Sequence, residues 1–314
     1  PARKVSPLQG LKDLLGKDVQ VQYEQGAGFT EAADPAAIAR AVELARKSDV
    51  ALLFLGTNLH VEAEGRDRRD LNLPGAQEAL LEAVYAANPK TVLVLMNAGP
   101  LAVTWANDHL PAILGAWYPG EAGGTAIASV LFGDYNPGGR LPYTVYASLD
   151  GVPPQNEYDV SKGYTYLYFK GVPLYAFGHG LSYTKFKYDN LKVSQTGSGS
   201  SRQVTVSFDL KNIGSRGGAE VAQLYTHQQR SNVPQPIQSL RAFRRITLEP
   251  GESKHVTFDL PVSQLAFYDV SSKQFSVQPG IFDVMVGSSS DDIRLRSELT
   301  VAANSVRESS AGRR

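Results

Sequence analysis

The spacing of apolar residues changes period once along this chain, near residue 189, and that change limits the fold to two differently built parts. Before it, segments with apolar residues three and four apart alternate with short continuous apolar runs. After it, apolar and polar residues alternate. One layer type cannot satisfy both patterns, and at 314 residues the chain is long enough for two cores.

In the first part, Ser6-Pro7 supplies an N-cap and a first-turn proline, Leu8, Leu11 and Leu15 share a face, and Gly16 stops the helix. Val19 to Tyr23 alternates as a half-buried strand. Asp34-Pro35 opens a second helix carrying Ile38, Ala41, Val42 and Ala45. Val50 to Leu55, Thr91 to Met96 and Ala112 to Trp117 read as strands, separated by a helix that starts at Pro74-Gly75. A helix of small residues follows from about Ala122 to Phe132. The order predicts an α/β class with a doubly wound, mostly parallel sheet.

In the second part, Val204, Val206, Phe208 and Leu210 alternate before Asn212-Ile213-Gly214. Ala222 and Leu224 share a face, and the turns Pro250-Gly251 and Pro279-Gly280 precede Val256, Phe258, Leu260 and Phe282, Val284, Val286. That pattern predicts an all-β sandwich of roughly 110 residues. We therefore place an α/β domain over 1–188, a β-sandwich over 189–302 and a disordered tail over 303–314, with Ser194 to Arg202 as a turn or linker near the boundary. Beginning at proline, the chain reads as a piece of a longer polypeptide.

Charge removes several functions. Lys plus Arg and Asp plus Glu both number 31, so no electrostatic footprint asks for nucleic acid or an anionic membrane. The apolar runs fall far short of a membrane span. With no cysteine there is neither a disulfide nor a thiolate metal site.

The chemistry concentrates in Val61-Glu62-Ala63-Glu64-Gly65-Arg66-Asp67-Arg68, just past the strand ending at Gly56. An α/β sheet delivers such a loop to its ligand crevice. Two carboxylates beside two guanidiniums can hold a general acid or bind a polyhydroxylated ligand, and a solvated polar loop is the plain alternative. A flavodoxin-like nucleotide binder fits the βα order but lacks a glycine-rich loop after the first strand.

Four further stretches, read in order, carry a resemblance: Glu62 to Arg68 with Leu73-Pro74-Gly75-Ala76-Gln77; Trp117-Tyr118-Pro119-Gly120-Glu121-Ala122-Gly123-Gly124; Leu131 to Pro142; and Tyr175 to Thr184. Together they resemble the C-terminal α/β-sandwich domain of glycoside hydrolase family 3, followed by its fibronectin type III-like domain. The resemblance implies a retaining β-glycosidase whose nucleophilic aspartate lies in an N-terminal (β/α)8 barrel, upstream of residue 1. Matched residue by residue, its Glu-Gly-x-Asp-Arg pattern puts the general acid/base on Glu64, with Glu62 as the alternative. Arg66, Asp67 and Arg68 are candidate substrate contacts, and a structural pair between Arg68 and Asp67 is an equal expectation.

Terminal non-reducing β-linked sugars are the implied substrates, as oligosaccharides or aryl β-glycosides. The string around Glu64 and the segment Gly163 to Phe169 look most like the β-xylosidase branch, while Tyr164 or Leu167 stands where arginine is often found, so β-glucosidase, or dual xylosidase and arabinofuranosidase activity, stays open. No cofactor or metal is implied. The partners are the substrate and the barrel, as domain or separate chain, and a homo-oligomer is left open. Family resemblance favours a periplasmic or secreted location. A different class of function, a non-catalytic carbohydrate-binding or interaction module, follows if the chain acts alone.

Trp117 and Glu121 lie after a strand in ligand-accessible territory, and core packing and helix capping explain them just as well; two other motifs read as structural. Gly133 to Arg140 is dense in turn formers, and His179 between two glycines reads as a buried hydrogen-bonding residue.

Overall fold

The computed structural model describes residues 4–198 and 201–302; the expected tail and residues 199–200 of the Ser/Gly-rich segment lie outside the described residues. Packing divides the chain into two units. The first takes the chain up to Tyr135 with Thr144–Gly151 and Gly171–Tyr175; the second takes Asn136–Tyr143, Val152–Lys170 and the chain from Ala176 onward.

The first unit begins with α1 (Pro7–Leu15), where the Ser6 hydroxyl accepts the Gln9 amide at 3.2 Å. Helix α2 (Pro35–Arg46) is capped by Asp34, whose carboxylate accepts the Ala36 amide at 2.9 Å. Both ends follow from a short polar side chain before proline, which satisfies an orphan amide and removes another. Strands β1 (Ala51–Gly56), β2 (Thr91–Met96) and β3 (Ala112–Gly115) form one parallel sheet in that order. Helices α3 (Gln77–Ala87) and α4 (Thr104–His109) make the crossovers, and α5 (Gly123–Leu131) follows β3. Adjacent residues Leu93 and Val94 are both fully buried, so the middle strand is covered on both faces.

Val19 to Tyr23 is a correction to the expected topology. It forms no strand, and Val19 and Tyr23 are 47% and 67% exposed. Alternation alone does not make a strand when no neighbour accepts its backbone.

Gln77 finishes β1. Its side-chain oxygen accepts the Gly56 amide at 2.7 Å and its nitrogen donates to the Gly56 carbonyl at 2.8 Å, completing that peptide as a further strand would. The following residues are thereby released as a loop at the C-terminal edge of the sheet.

The second unit is a sandwich. One sheet orders β4 (Phe186–Thr196), β5 (Gln203–Asn212) and β8 (Ser253–Pro261); the other orders β12 (Ile293–Val301), β11 (Gly280–Gly287), β6 (Gly218–Gln228) and β7 (Ser239–Leu248). A small hairpin pairs β9 (Phe267–Asp269) with β10 (Gln274–Ser276). Phe208, Leu210, Leu224, Val256, Val284 and Val286 fill the core, each at most 2% exposed. Their period-two spacing is what sends one face of every strand inward. Of the Ser/Gly-rich segment, Ser194 to Thr196 end β4 and pair antiparallel with Gln203 to Thr205 at the start of β5.

The turn-forming motifs are structural here. Asn136 accepts the Ser182 hydroxyl at 3.0 Å and the Tyr183 amide at 2.7 Å, and donates to the Gly217 carbonyl at 2.9 Å. Leu141 and the Gly178-His179 backbone exchange bonds of 2.8 and 2.9 Å. Arg140 reaches the carboxylate of Glu220 at 2.7 Å, with both side chains at least 93% buried. His179 is half-buried, and burial pulls its imidazole below the usual histidine range despite Asp291 nearby.

Candidate active-site hairpin

Glu62 and Glu64 stand two residues apart and have opposite environments. After Thr57 the chain makes a turn in which the Asn58 carbonyl accepts the amides of Val61 and Glu62 at 2.9 and 3.0 Å. It then doubles back. Ala63 and Arg66 bridge as a two-residue hairpin, and Gly65 takes φ +71°, a conformation in which a side chain is strained. Glu64 is thus lifted to the tip, exposed, with no hydrogen bond or ion pair among the described residues.

Glu62 lies at the foot of the hairpin with its side chain 11% exposed. Its Oε1 accepts the Thr57 hydroxyl, the Ala98 amide at 2.8 Å, the Gly99 amide at 3.2 Å and the Tyr118 hydroxyl at 3.3 Å. Its Oε2 meets Arg68 Nε at 3.0 Å. Burial pushes the Glu62 carboxyl up, but the hydrogen bonds from Thr57, Ala98 and Gly99 and the charge of Arg68 outweigh it and hold the group below the ordinary glutamate range. A cluster that donates this heavily to a carboxylate favours its ionised form.

The arginines of the motif are spent locally. Arg66 Nη1 donates to the His60 carbonyl at 3.1 Å. Arg68 gives Nε to Glu62 and Nη2 to the Pro100 carbonyl at 2.6 Å, while its buried Nη1 makes no hydrogen bond among the described residues. The expected Arg68–Asp67 pair is not formed; Asp67 is exposed and the guanidinium turns to Glu62 instead, because the hairpin brings 62 and 68 to the same foot. Gly99 allows this approach, since a Cβ there would lie 2.9 Å from Arg68 Nη2 and 3.0 Å from Glu62 Oε2.

Beside the hairpin an open pocket of about 540 Å³ is lined by Asp67, Arg68, Arg69, Asp70 and Glu78 among others. Burial, and then the neighbouring Glu82, push the Glu78 carboxyl up. Tyr118 follows Trp117, a non-glycine residue held at φ +56°, a strained conformation of the kind found near functional sites. Sequence reasoning missed Thr57, Gly99 and the hydroxyl of Tyr118. The only signal was positional: each lies within three residues of the C-terminal end of a parallel strand.

The linkage gives a first prediction. Because the folded carboxyl of Glu62 is depressed below its unfolded value, its stabilisation is present above that value and is lost as pH falls through and below the glutamate range. Thermal melts from pH 7 to 3.5 should show Glu62→Gln less stable than the parent at neutral pH, with the gap closing in acid. A gap that stays constant would mean that the charge contributes nothing.

The first unit thus presents an anchored acidic hairpin at the C-terminal edge of a parallel sheet, and the chain continues into a β-sandwich. Comparison with known families fits that order: residues 1–183 match the glycosyl hydrolase family 3 C-terminal domain and residues 220–290 match a fibronectin type III-like domain. The chain belongs to glycosyl hydrolase family 3. It is 36% identical to a β-xylosidase of Formosa agariphila and 35% identical to thermostable β-glucosidase B of Acetivibrio thermocellus, in each case over 96% of this chain and 42% of the relative. The crystal structure of a Bifidobacterium adolescentis family 3 β-glucosidase superposes with a TM-score of 0.87 at 32% identity, covering 96% of this chain and 46% of that one. The chain therefore spans about two fifths of the length of the curated relatives it matches. No helix among the described residues is long and apolar enough to cross a membrane.

Proposed function

We propose that this chain is the C-terminal portion of a retaining β-glycosidase acting on terminal β-linked xylose or glucose, in which Glu64 is the general acid/base. The first unit carries the proton donor and the sandwich unit serves as scaffold. The observation that carries the reading is the contrast within the motif. Glu62 is buried, ionised and fully engaged, whereas Glu64 is presented to solvent at the hairpin tip with its carboxyl uncommitted.

A retaining mechanism sets two carboxyl groups about 5–5.5 Å apart, one attacking the anomeric carbon and one protonating the departing oxygen. The nucleophilic aspartate belongs to a barrel preceding this chain. When the sugar is held between barrel and hairpin, displacement of water around Glu64 would raise its pKa toward that of a working acid. In the second half-reaction the same group, now ionised, takes a proton from water. Asp67, exposed beside the hairpin, is the motif residue that remains available to a substrate hydroxyl.

The test compares the full-length polypeptide with this chain alone on xylo- and cello-oligosaccharides. We expect the full-length protein to release single sugars from the non-reducing end with retained anomeric configuration, and the isolated chain to release none. Inverted product would remove the mechanism. Binding of oligosaccharide by the isolated chain without turnover by the full-length protein would favour a binding module instead.

A further inference from the structure

Glu62 draws its donors from the C-terminal ends of all three parallel strands: Thr57 after β1, the Ala98 and Gly99 amides after β2, and Tyr118 after β3. Arg68 closes the ring from the other foot of the hairpin, bonding Glu62 at 3.0 Å and the Pro100 carbonyl at 2.6 Å. The residues between these two feet are the turn that carries Glu64. The Ala63–Arg66 bridge fixes the shape of that turn, with bonds of 2.9 and 3.4 Å, but gives it no hold on the sheet. That hold comes from the clamp at its base. Thr57 and Tyr118 also bond one another at 2.9 Å, so the three loops meet at one point.

We propose that Glu62 and Arg68, with the hydroxyl of Tyr118, are positioning residues that set the reach of Glu64 toward the glycosidic oxygen. The proposal rests on the reading of Glu64 as proton donor. It gives the first carboxylate of the motif a purpose distinct from chemistry: Glu62 stays charged so that the second carboxylate stays placed. A displacement of about 1 Å in a reacting group can cost on the order of 10²-fold in rate. In the first half-reaction the penalty falls on poor leaving groups and spares activated ones that depart without help, and kcat/KM reports that step alone.

The experiment uses the full-length enzyme with aryl β-glycosides of good and poor leaving groups, with and without azide. Glu62→Gln keeps the shape and removes the charge; Tyr118→Phe removes one donor and keeps the ring. We expect Glu62→Gln to lower kcat/KM on the poor leaving group by about 10²-fold, and by less than about 3-fold on the activated one, whose departure in the first half-reaction does not need the acid. Tyr118→Phe should shift the same ratio in the same direction by a smaller factor. Azide should rescue Glu64→Ala and fail to rescue Glu62→Gln, because in the latter Glu64 still occupies its face of the sugar. Equal losses on both leaving groups, or no loss on either, would overturn the positioning role while leaving Glu64 in place. Azide rescue of Glu62→Gln together with inert behaviour of Glu64→Ala would overturn both readings. If Glu62→Gln does not fold, the leaving-group ratio of Tyr118→Phe decides alone: a ratio equal to the parent's sinks the proposal.

Discussion

Replacing Glu64 with alanine in the full-length enzyme is expected to lower kcat/KM for poor leaving groups by roughly 10²- to 10⁴-fold, the usual worth of general acid catalysis. The loss should shrink toward the parent value as the leaving group becomes more acidic. On an activated substrate, where hydrolysis of the glycosyl-enzyme limits turnover, azide should restore kcat and yield a β-glycosyl azide, because removal of the carboxylate opens the face from which water normally attacks. The structure makes this an unusually clean substitution. Glu64 is exposed at a turn and holds nothing else together, so its removal should leave stability within about 0.5 kcal/mol of the parent. An activity loss of this size with an unchanged melting temperature can only be chemical. A leaving-group dependence identical to the parent's would remove Glu64 from the mechanism.

Arg140→Met is expected to have the largest effect on stability. It would leave the carboxylate of Glu220, in a residue only 5% exposed, without its guanidinium. The remaining bond from the Val221 amide, at 2.8 Å, is too little for a buried charge. Breaking a buried pair from one side costs about 3–5 kcal/mol, a large share of a domain's stability. The double variant Arg140→Met with Glu220→Leu should recover most of that loss, since it removes both charges and refills the space. Chemical denaturation of the three variants against the parent measures this. A double variant as unstable as the single one would show that packing around Arg140, rather than charge, is what Arg140→Met destroys.

Much of the architecture was legible from residue order because it rests on local rules. Ser6-Pro7 and Asp34-Pro35 start helices as their chemistry requires, and the alternation of Val204 to Leu210 puts those four residues inside a sandwich. The acidic motif was legible as a candidate site because it follows a buried strand. What could not be read were arrangements made by distant residues. The contrast in environment between Glu62 and Glu64 depends on donors contributed by Ala98, Gly99 and Tyr118, and nothing near residue 62 announces them. The segment Gly163 to Phe169 was read for substrate preference, yet its tyrosines are engaged in packing. Tyr164 donates to the Pro154 carbonyl at 2.7 Å, and Tyr166 stacks on Phe177 at 4.2 Å and accepts the Leu240 amide, 74 residues away. Val19 to Tyr23 failed for the converse reason, a local pattern without a distant partner.

The path of the backbone between Asn136 and Ala176 bears on how such proteins could be reshuffled during evolution. The sandwich unit owns 136–143 and 152–170 as well as everything from 176 onward. A gene fusion that grafted only the downstream strands onto a foreign neighbour would arrive without Arg140 and Tyr166, and would carry a buried glutamate with no counter-ion. Inheritance of the sandwich is thereby tied to the preceding segments, and viable recombination would have to move both stretches together.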